Sequence, residues 1–227
     1  MADFDIEQMD FSFELSDDVS AICPACKTAP TKAIKTQLAA ITLKRAMSES
    51  ILCDVLPHTF VDGEVWHVIS GGDVDSLSFL KHIIKQQNLK YCLFSTWCMG
   101  SHDVADFAQW VESGKIGYLD AYVGEIFTTS YSKQFEELKQ AVNGRICVFK
   151  NHSKVFAGIG EKFSFVVESS ANINTNPRTE QTVISINNDL FNFYKEWFDG
   201  IKSYNRLYDN WKPFDLSIIG EKSVNDV

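Results

Sequence analysis

Short apolar runs alternate with amphipathic segments over residues 66–142, and this alternation is the feature that most restricts the fold. Three runs have the length and composition of buried β-strands: WHVIS (66–70), LKYCLFST (89–96) and IGYLDAYVG (116–124). Three segments with apolar residues at helical spacing follow these runs: 74–87, the residues from Ser101 onward, and 133–142. Strands that alternate with helices in this way predict a largely parallel sheet with helices on both faces.

The second half of the chain has a different pattern. RICVF (145–149), FSFVVES (163–169) and TVISI (182–186) are strand-like runs with no room for helices between them, which predicts a mixed or antiparallel portion of the sheet. Residues 189–204 then predict a closing amphipathic helix. We therefore expect an α/β fold with a mixed, largely parallel β-sheet flanked by helices.

Length and charge restrict the function further. The chain has 227 residues and a formal net charge of −9, which argues against a broad surface that follows the phosphates of duplex DNA. No apolar run reaches the roughly 20 residues of a membrane span. The N-terminus is acidic where a signal peptide would be basic, so we expect a cytoplasmic protein whose six cysteines are reduced. Residues 1–49 are expected to form an arm and a helix, and residues 50–227 the α/β domain.

Polar side chains follow the late strands in a pattern that fits an anionic ligand. His152 and Lys154 stand two residues apart, so in an extended chain both side chains point to the same face. Ser170 and Asn172 come directly after the next strand-like run, and Glu180 stands a few residues later. An ammonium, an imidazole and short hydrogen-bond donors at neighbouring strand ends suit a phosphoryl group.

These residues resemble the signature of the phospholipase D superfamily. His152-Ser153-Lys154 matches its His-x-Lys element, and Ser169-Ser170-Ala171-Asn172 matches its Gly-Ser-x-Asn element with Ser in place of Gly. Glu180 matches the downstream acidic residue. The resemblance covers roughly residues 50 to 205 and implies the sheet-and-helix fold of that superfamily.

The resemblance also implies a phosphodiesterase that needs neither a metal nor a cofactor. His152 would attack phosphorus and form a phosphohistidine, and a second His would protonate the leaving oxygen. Lys154 and Asn172 would hold the nonbridging oxygens with help from Ser170, while Glu180 would orient the imidazole. The chain has one such motif, and single-motif members of the superfamily pair two chains, so the resemblance implies a homodimer.

The chain departs from the family at one position. The family's Asp, five residues after Lys154, is Ile159 here. We expect a nuclease rather than a lipase, because no basic amphipathic helix or lipid anchor points to a lipid substrate. Among nucleic acids, we expect DNA rather than RNA. A phage or prophage origin fits this expectation. The alternative is a weakly active or inactive module, such as a phage or plasmid accessory protein, that binds nucleic acid or protein.

Three further residues are candidates for substrate binding. Asn174 and Arg178 continue the polar cluster, where Arg178 is either a phosphate clamp or a surface charge. His102 ends the segment WCMGSH, which follows a strand at the end where open α/β sheets bind ligands, although helix capping explains that segment equally well.

Two other motifs have competing interpretations. Cys23-Pro-Ala-Cys26 could be half of a zinc site or two reduced thiols. Ser70-Gly71-Gly72-Asp73 is interpreted as a strand-to-helix turn rather than as a phosphate cradle, with Asp73 or Asp75 as the helix cap.

Overall fold

The computed structural model describes residues 37–174, 177–201 and 212–220. These residues belong to one compact unit. The helices are α1 (Gln37–Val55), α2 (Ser76–Gln86), α3 (Ser101–Glu112), α4 (Ile126–Ser130), α5 (Ser132–Ala141), α6 (Asn188–Asp199) and α7 (Ser217–Gly220). The strands are β1 (Val65–Ser70), β2 (Leu89–Thr96), β3 (Leu119–Gly124), β4 (Ile146–Phe149), β5 (Val155–Gly160), β6 (Ser164–Ser169) and β7 (Glu180–Ser185).

The seven strands form one sheet in the order β1-β7-β6-β5-β2-β3-β4. Strands β2, β3 and β4 pair in parallel, and the four remaining pairings are antiparallel. Five strands consequently point in one direction, while β5 and β7 run against them. The prediction of a mixed, largely parallel α/β sheet flanked by helices is confirmed, with short connections after β4 accounting for the antiparallel half.

Helices cover both faces of the sheet, which explains why its central strands are continuously apolar. In β2, Phe94 faces the core formed with α1 to α5, and Leu93 faces the smaller core formed with α6 and residues 214–219. Both side chains are completely buried. Burial of apolar area on both faces is the main source of stability for such a sheet.

Three short elements were not predicted from the sequence: β5, α4 and α7. Strand β5 follows the His-x-Lys motif and contains Gly158 and Gly160, which weaken the strand signal. A Cβ atom at Gly158 would lie 2.8 Å from the Phe165 ring, so glycine permits this close approach between β5 and β6. Helix α4 has only five residues, too few to show a helical period.

Some sequence-based expectations lie outside the described residues, among them the interpretation of Cys23 and Cys26 and the arm at the start of the chain. Helix α1 runs without a break through residues 49 and 50, and the division of the chain there stays a prediction. Within the described residues, no helix combines the length and apolar character that a transmembrane span requires.

The strand directions bring several chain segments to one edge of the sheet. The carboxyl ends of β1, β2, β3, β4 and β6 meet the amino ends of β5 and β7 there. We call this the carboxyl edge. In open α/β sheets such an edge is the usual place for a ligand.

Candidate functional site

A buried asparagine shapes the turn that carries His152 and Lys154. The Nδ2 of Asn151, which has two hydrogens to donate, lies within hydrogen-bond distance of three acceptors: Ser95 Oγ at 2.8 Å, Tyr122 O at 3.0 Å and Thr96 O at 3.2 Å. Its Oδ1 accepts from Ser153 N at 2.9 Å and from Ser153 Oγ at 2.7 Å. Asn151 thus ties the β4–β5 connection to β2 and β3, while the next side chain, His152, is exposed.

Lys154 folds back onto His152. Its Nζ lies 2.9 Å from His152 Nδ1 and 3.3 Å from Nε2, and it donates to the His152 carbonyl oxygen at 2.6 Å. A phosphoryl oxygen that entered the site would compete with these acceptors for the ammonium protons. The side chains of the His-x-Lys motif are therefore in mutual contact at the carboxyl edge.

The environment of Lys154 contains opposing influences on its charge. Partial burial lowers the pKa of the ammonium, while Cys98 and Glu180 act in the opposite direction. Glu180 therefore contributes a favourable electrostatic interaction at Lys154, as does the neighbouring thiol when it is ionised. Although the carboxylate of Glu180 partly offsets the charge of Lys154, the ammonium can still bind an anionic oxygen.

The Ser-Ser-x-Asn segment lies directly beside the His-x-Lys segment. Ser169 N donates to Lys154 O at 3.0 Å, which joins the end of β6 to the start of β5. Ser170 Oγ donates to a Glu180 carboxylate oxygen and accepts from Gln181 N at 3.1 Å. The structure thus places the ends of β5, β6 and β7 side by side, with a candidate residue on each.

Ser169, which replaces the glycine of the signature that the sequence resembles, stabilises the turn after β6. Its Oγ lies 3.0 Å from Thr182 Oγ1 and accepts from Ala171 N at 3.2 Å. The departure from glycine at this position is therefore compatible with the local structure.

The segment after Ser170 is fixed to the end of β2. Ile173 N donates to Thr96 Oγ1 at 3.2 Å, and Ile173 O accepts from Gly100 N at 3.1 Å. On either side of Ile173, the amide oxygens of Asn172 and Asn174 are buried and have no hydrogen-bond partner among the described residues. Buried polar atoms normally have partners, and these two oxygens can accept hydrogen bonds only from a donor such as a hydroxyl or an amino group.

Arg178 is exposed and follows Pro177, which lies against the turn after β1. His102 lies in the first turn of α3 and lines a groove of about 630 Å³ together with Arg45, Glu49 and Lys81. The structure therefore assembles His152, Lys154, Ser170 and Glu180 with Asn172 and Asn174 nearby, whereas His102 lines the groove between α1, α2 and α3.

Sequence reasoning did not single out three residues of the site: Asn151, Trp97 and Cys98. The Trp97 ring lies 5.8 Å from the His152 ring, measured between centroids, at an interplanar angle of 54°. Cys98 is buried, which raises the pKa of its thiol, and a hydrogen bond from Tyr131 and the charge of Lys154 lower it. The signal for the last two residues was their position immediately after β2, a strand that ends at the carboxyl edge.

Within the described ranges, no three His, Cys, Asp or Glu side chains converge in a way that would hold a metal ion. The described cysteines, Cys53, Cys92, Cys98 and Cys147, form no disulfide with one another.

Comparison with known proteins gives a limited result. No protein-family model matches the chain, and no curated protein matches it. Polyphosphate kinase from Porphyromonas gingivalis is similar in structure with a TM-score of 0.47 and 13% identity, over 63% of this chain and 27% of the kinase. TrmBL2, an archaeal chromatin protein described as showing a novel mode of DNA binding, has a TM-score of 0.43 and 12% identity, over 74% of this chain and 61% of TrmBL2. The chain thus spans about a quarter of the first protein and less than two thirds of the second.

The fold and the site together define a class: a mixed α/β protein with a polar, His- and Lys-containing site at the carboxyl edge of its sheet. Similarity at TM-scores of 0.47 and 0.43 carries no conclusion about activity.

Proposed function

We propose that this protein is a metal-independent phosphodiesterase that acts on nucleic acid through a phosphohistidine intermediate. One observation supports the proposal most: the Ser169 N to Lys154 O bond and the Ser170–Glu180 contact bring two separate sequence motifs to adjacent strand ends. The pairing of β5 with β6 and of β6 with β7 aligns these strand ends at the carboxyl edge, the usual place for a ligand in an open α/β sheet, which supports a functional role for the two motifs.

Each side chain has a role that its chemistry permits. His152 is exposed and can reach a phosphorus atom, while Lys154 and Asn172 supply a charge and an amide donor for the nonbridging oxygens. Ser170 links this group to Glu180, whose carboxylate would also attract the imidazole once it becomes positive. A second His152, from a partner chain in a symmetric homodimer, would act as the general acid and base.

Substitution of the proposed nucleophile provides the direct test. His152→Asn should lower turnover of a chromogenic phosphodiester by at least ~10³, because the covalent route is lost. Lys154→Ala and Asn172→Ala should each lower it by roughly 10²–10³, because each removes a donor to the developing charge. All assays contain EDTA, in which wild-type activity should persist.

The matched control is His67→Asn, which makes the same exchange at an exposed position in the middle of β1. It should keep wild-type turnover. Near-normal activity of His152→Asn, or a strict requirement for a divalent metal, would show that the proposed mechanism is wrong.

Ile159 favours a second candidate, a module that binds nucleic acid or protein without turnover. Its side chain is half-buried against the smaller core, in the antiparallel register opposite Tyr91. A hydrophobic residue at that position contributes no charge to the site. Wild-type protein that binds single-stranded DNA but hydrolyses no phosphodiester would establish this candidate instead.

A further inference from the structure

The indole of Trp97 forms an exposed wall beside the proposed nucleophile. Its side chain belongs to a residue that is 36% exposed, among residues that are otherwise largely buried at the end of β2. The ring centroids of Trp97 and His152 are 5.8 Å apart. The two rings are tilted by 54° rather than stacked, so the imidazole does not cover the indole face to face.

The indole is held in place by a close approach of the backbone. A Cβ atom at Gly124, the last residue of β3, would lie 2.7 Å from Trp97 Cδ1 and 3.0 Å from Trp97 O. Only glycine leaves this space without displacing the ring. Trp97 is therefore fixed between the end of β3 and His152, and it would lose little conformational freedom when a ligand covers it.

From this placement we infer that Trp97 is a stacking site for an unpaired nucleobase next to the scissile phosphate. The inference rests on the proposed function, which it deepens by naming the substrate class: nucleic acid whose bases are unpaired, rather than duplex or lipid. In a nucleotide one sugar separates the base from its phosphate, so a phosphate at His152 brings a neighbouring base within reach of the indole. Every base has an aromatic face, and stacking on an aromatic side chain therefore tolerates any sequence.

Because the chain is negatively charged, its affinity for nucleic acid would depend strongly on an attraction other than charge, such as stacking. With a formal net charge of −9, the protein as a whole repels a polyanion at low salt. Lys154 supplies a local attraction, and stacking adds an attraction that does not depend on net charge. Paired bases are stacked inside a duplex and cannot use the indole, so the inference predicts a preference for single strands.

The test compares two substrates that differ in the presence of a base. Thymidine 5′-(p-nitrophenyl phosphate) carries one, whereas methyl p-nitrophenyl phosphate has the same leaving group and a methyl group in place of the nucleoside. Trp97→Leu should raise KM for the thymidine substrate roughly tenfold. The same variant should change kcat/KM for the other substrate by about twofold at most. Trp97→Phe should retain most of the wild-type KM because it retains an aromatic face.

Trp197→Leu is the matched control, because Trp197 is an exposed tryptophan on α6 outside the site. It should leave both substrates unaffected. An equal loss on both substrates in Trp97→Leu would assign the indole a purely structural role and overturn the inference, as would unchanged kinetics on both.

A second measurement uses only wild-type protein and follows binding, so it depends neither on turnover nor on the folding of a variant. Wild-type protein should bind oligothymidylate several-fold more tightly than an abasic oligomer of the same length and at the same salt concentration, as measured by fluorescence anisotropy. Equal affinities would overturn the inference. Absence of hydrolysis together with a preference for oligothymidylate would refute the proposed catalysis and leave the stacking site supported.

Discussion

At the scale of single residues, Asp103 is an unusual carboxylate because it is buried in the first turn of α3. It accepts from Gly100 N at 3.1 Å and forms an ion pair with Arg45. Burial raises its pKa to about 7, although Arg45 and the Gly100 N–H act to lower it and Asp106 raises it further. Asp103 is therefore a titratable group whose proton affinity differs between the folded and unfolded chain.

This difference predicts how stability depends on pH. The folded-state pKa of about 7 lies above the ordinary value of 3.8, so the stabilisation from Asp103 is fully present below pH 4 and is lost as pH rises through 7. Its contribution to the free energy of unfolding should fall by at most about 1.4 kcal/mol per pH unit in that window. Urea denaturation of wild type and Asp103→Asn from pH 4 to pH 8 measures the effect.

Asp103→Asn should have a flatter profile than wild type between pH 4 and pH 7. Asp62→Asn, which changes an exposed carboxylate in a turn, should follow the wild-type profile. If wild type and Asp103→Asn show the same slope, Asp103 is ionised throughout that range.

At the scale of elements, the turn from β1 to α2 controls the position of the segment that carries Arg178. Gly72 has φ +95°, and a Cβ atom there would lie 2.6 Å from Pro177 C and 2.9 Å from Arg178 N. Gly71 has nothing within 4 Å of the corresponding position. The Gly71 N–H donates to Asp73 Oδ1 at 3.1 Å, which closes the turn.

The two adjacent glycines allow a matched comparison. Gly72→Ala should lower the free energy of unfolding by at least about 1 kcal/mol, because it combines an unfavourable φ with a backbone clash. It should also weaken binding of a single-stranded oligonucleotide if Arg178 contacts phosphate. Gly71→Ala should change stability by no more than about 0.5 kcal/mol. Similar effects of both substitutions on stability would show that the contact with Pro177 is unimportant.

The elements also show what the sequence could predict. Buried strands such as β2 and β3 were recognisable because burial on both faces requires continuous apolar residues. The His-x-Lys and Ser-Ser-x-Asn segments were recognisable because each is contiguous in sequence. Strand β5 was not, because Gly158 and Gly160 remove the side chains that mark a strand. The relation of Trp97 to His152 depends on the order of strands β5, β2 and β3, which no local pattern encodes.

At the scale of the whole molecule, the proposed mechanism needs a second histidine and hence a second chain. We expect a symmetric homodimer that brings two His152 side chains into one cleft and buries on the order of 1,200 Å² or more in total. Sedimentation at micromolar concentration should show a dimer. A monomer under these conditions would contradict the shared site.

Mixed dimers distinguish a shared site from two independent sites. Wild type and His152→Asn, unfolded together in equal amounts and refolded, should retain roughly a quarter of the wild-type activity if each site needs both chains. Independent sites would retain about half. The result separates a dimer that is required for the chemistry from one that merely forms.

The antiparallel half of the sheet has a consequence for the order in which the molecule assembles. Strands β5, β6 and β7 are consecutive in the chain and adjacent in the sheet, and they are joined without intervening helices. Loop closure between them costs less chain entropy than the crossovers that pair β2, β3 and β4. All of the residues proposed to act at the phosphate, from His152 to Glu180, lie on this local meander or at its ends. The chain can therefore bring its chemical groups together through nearby contacts, while Trp97 joins them only when the distant strand β2 docks alongside β5.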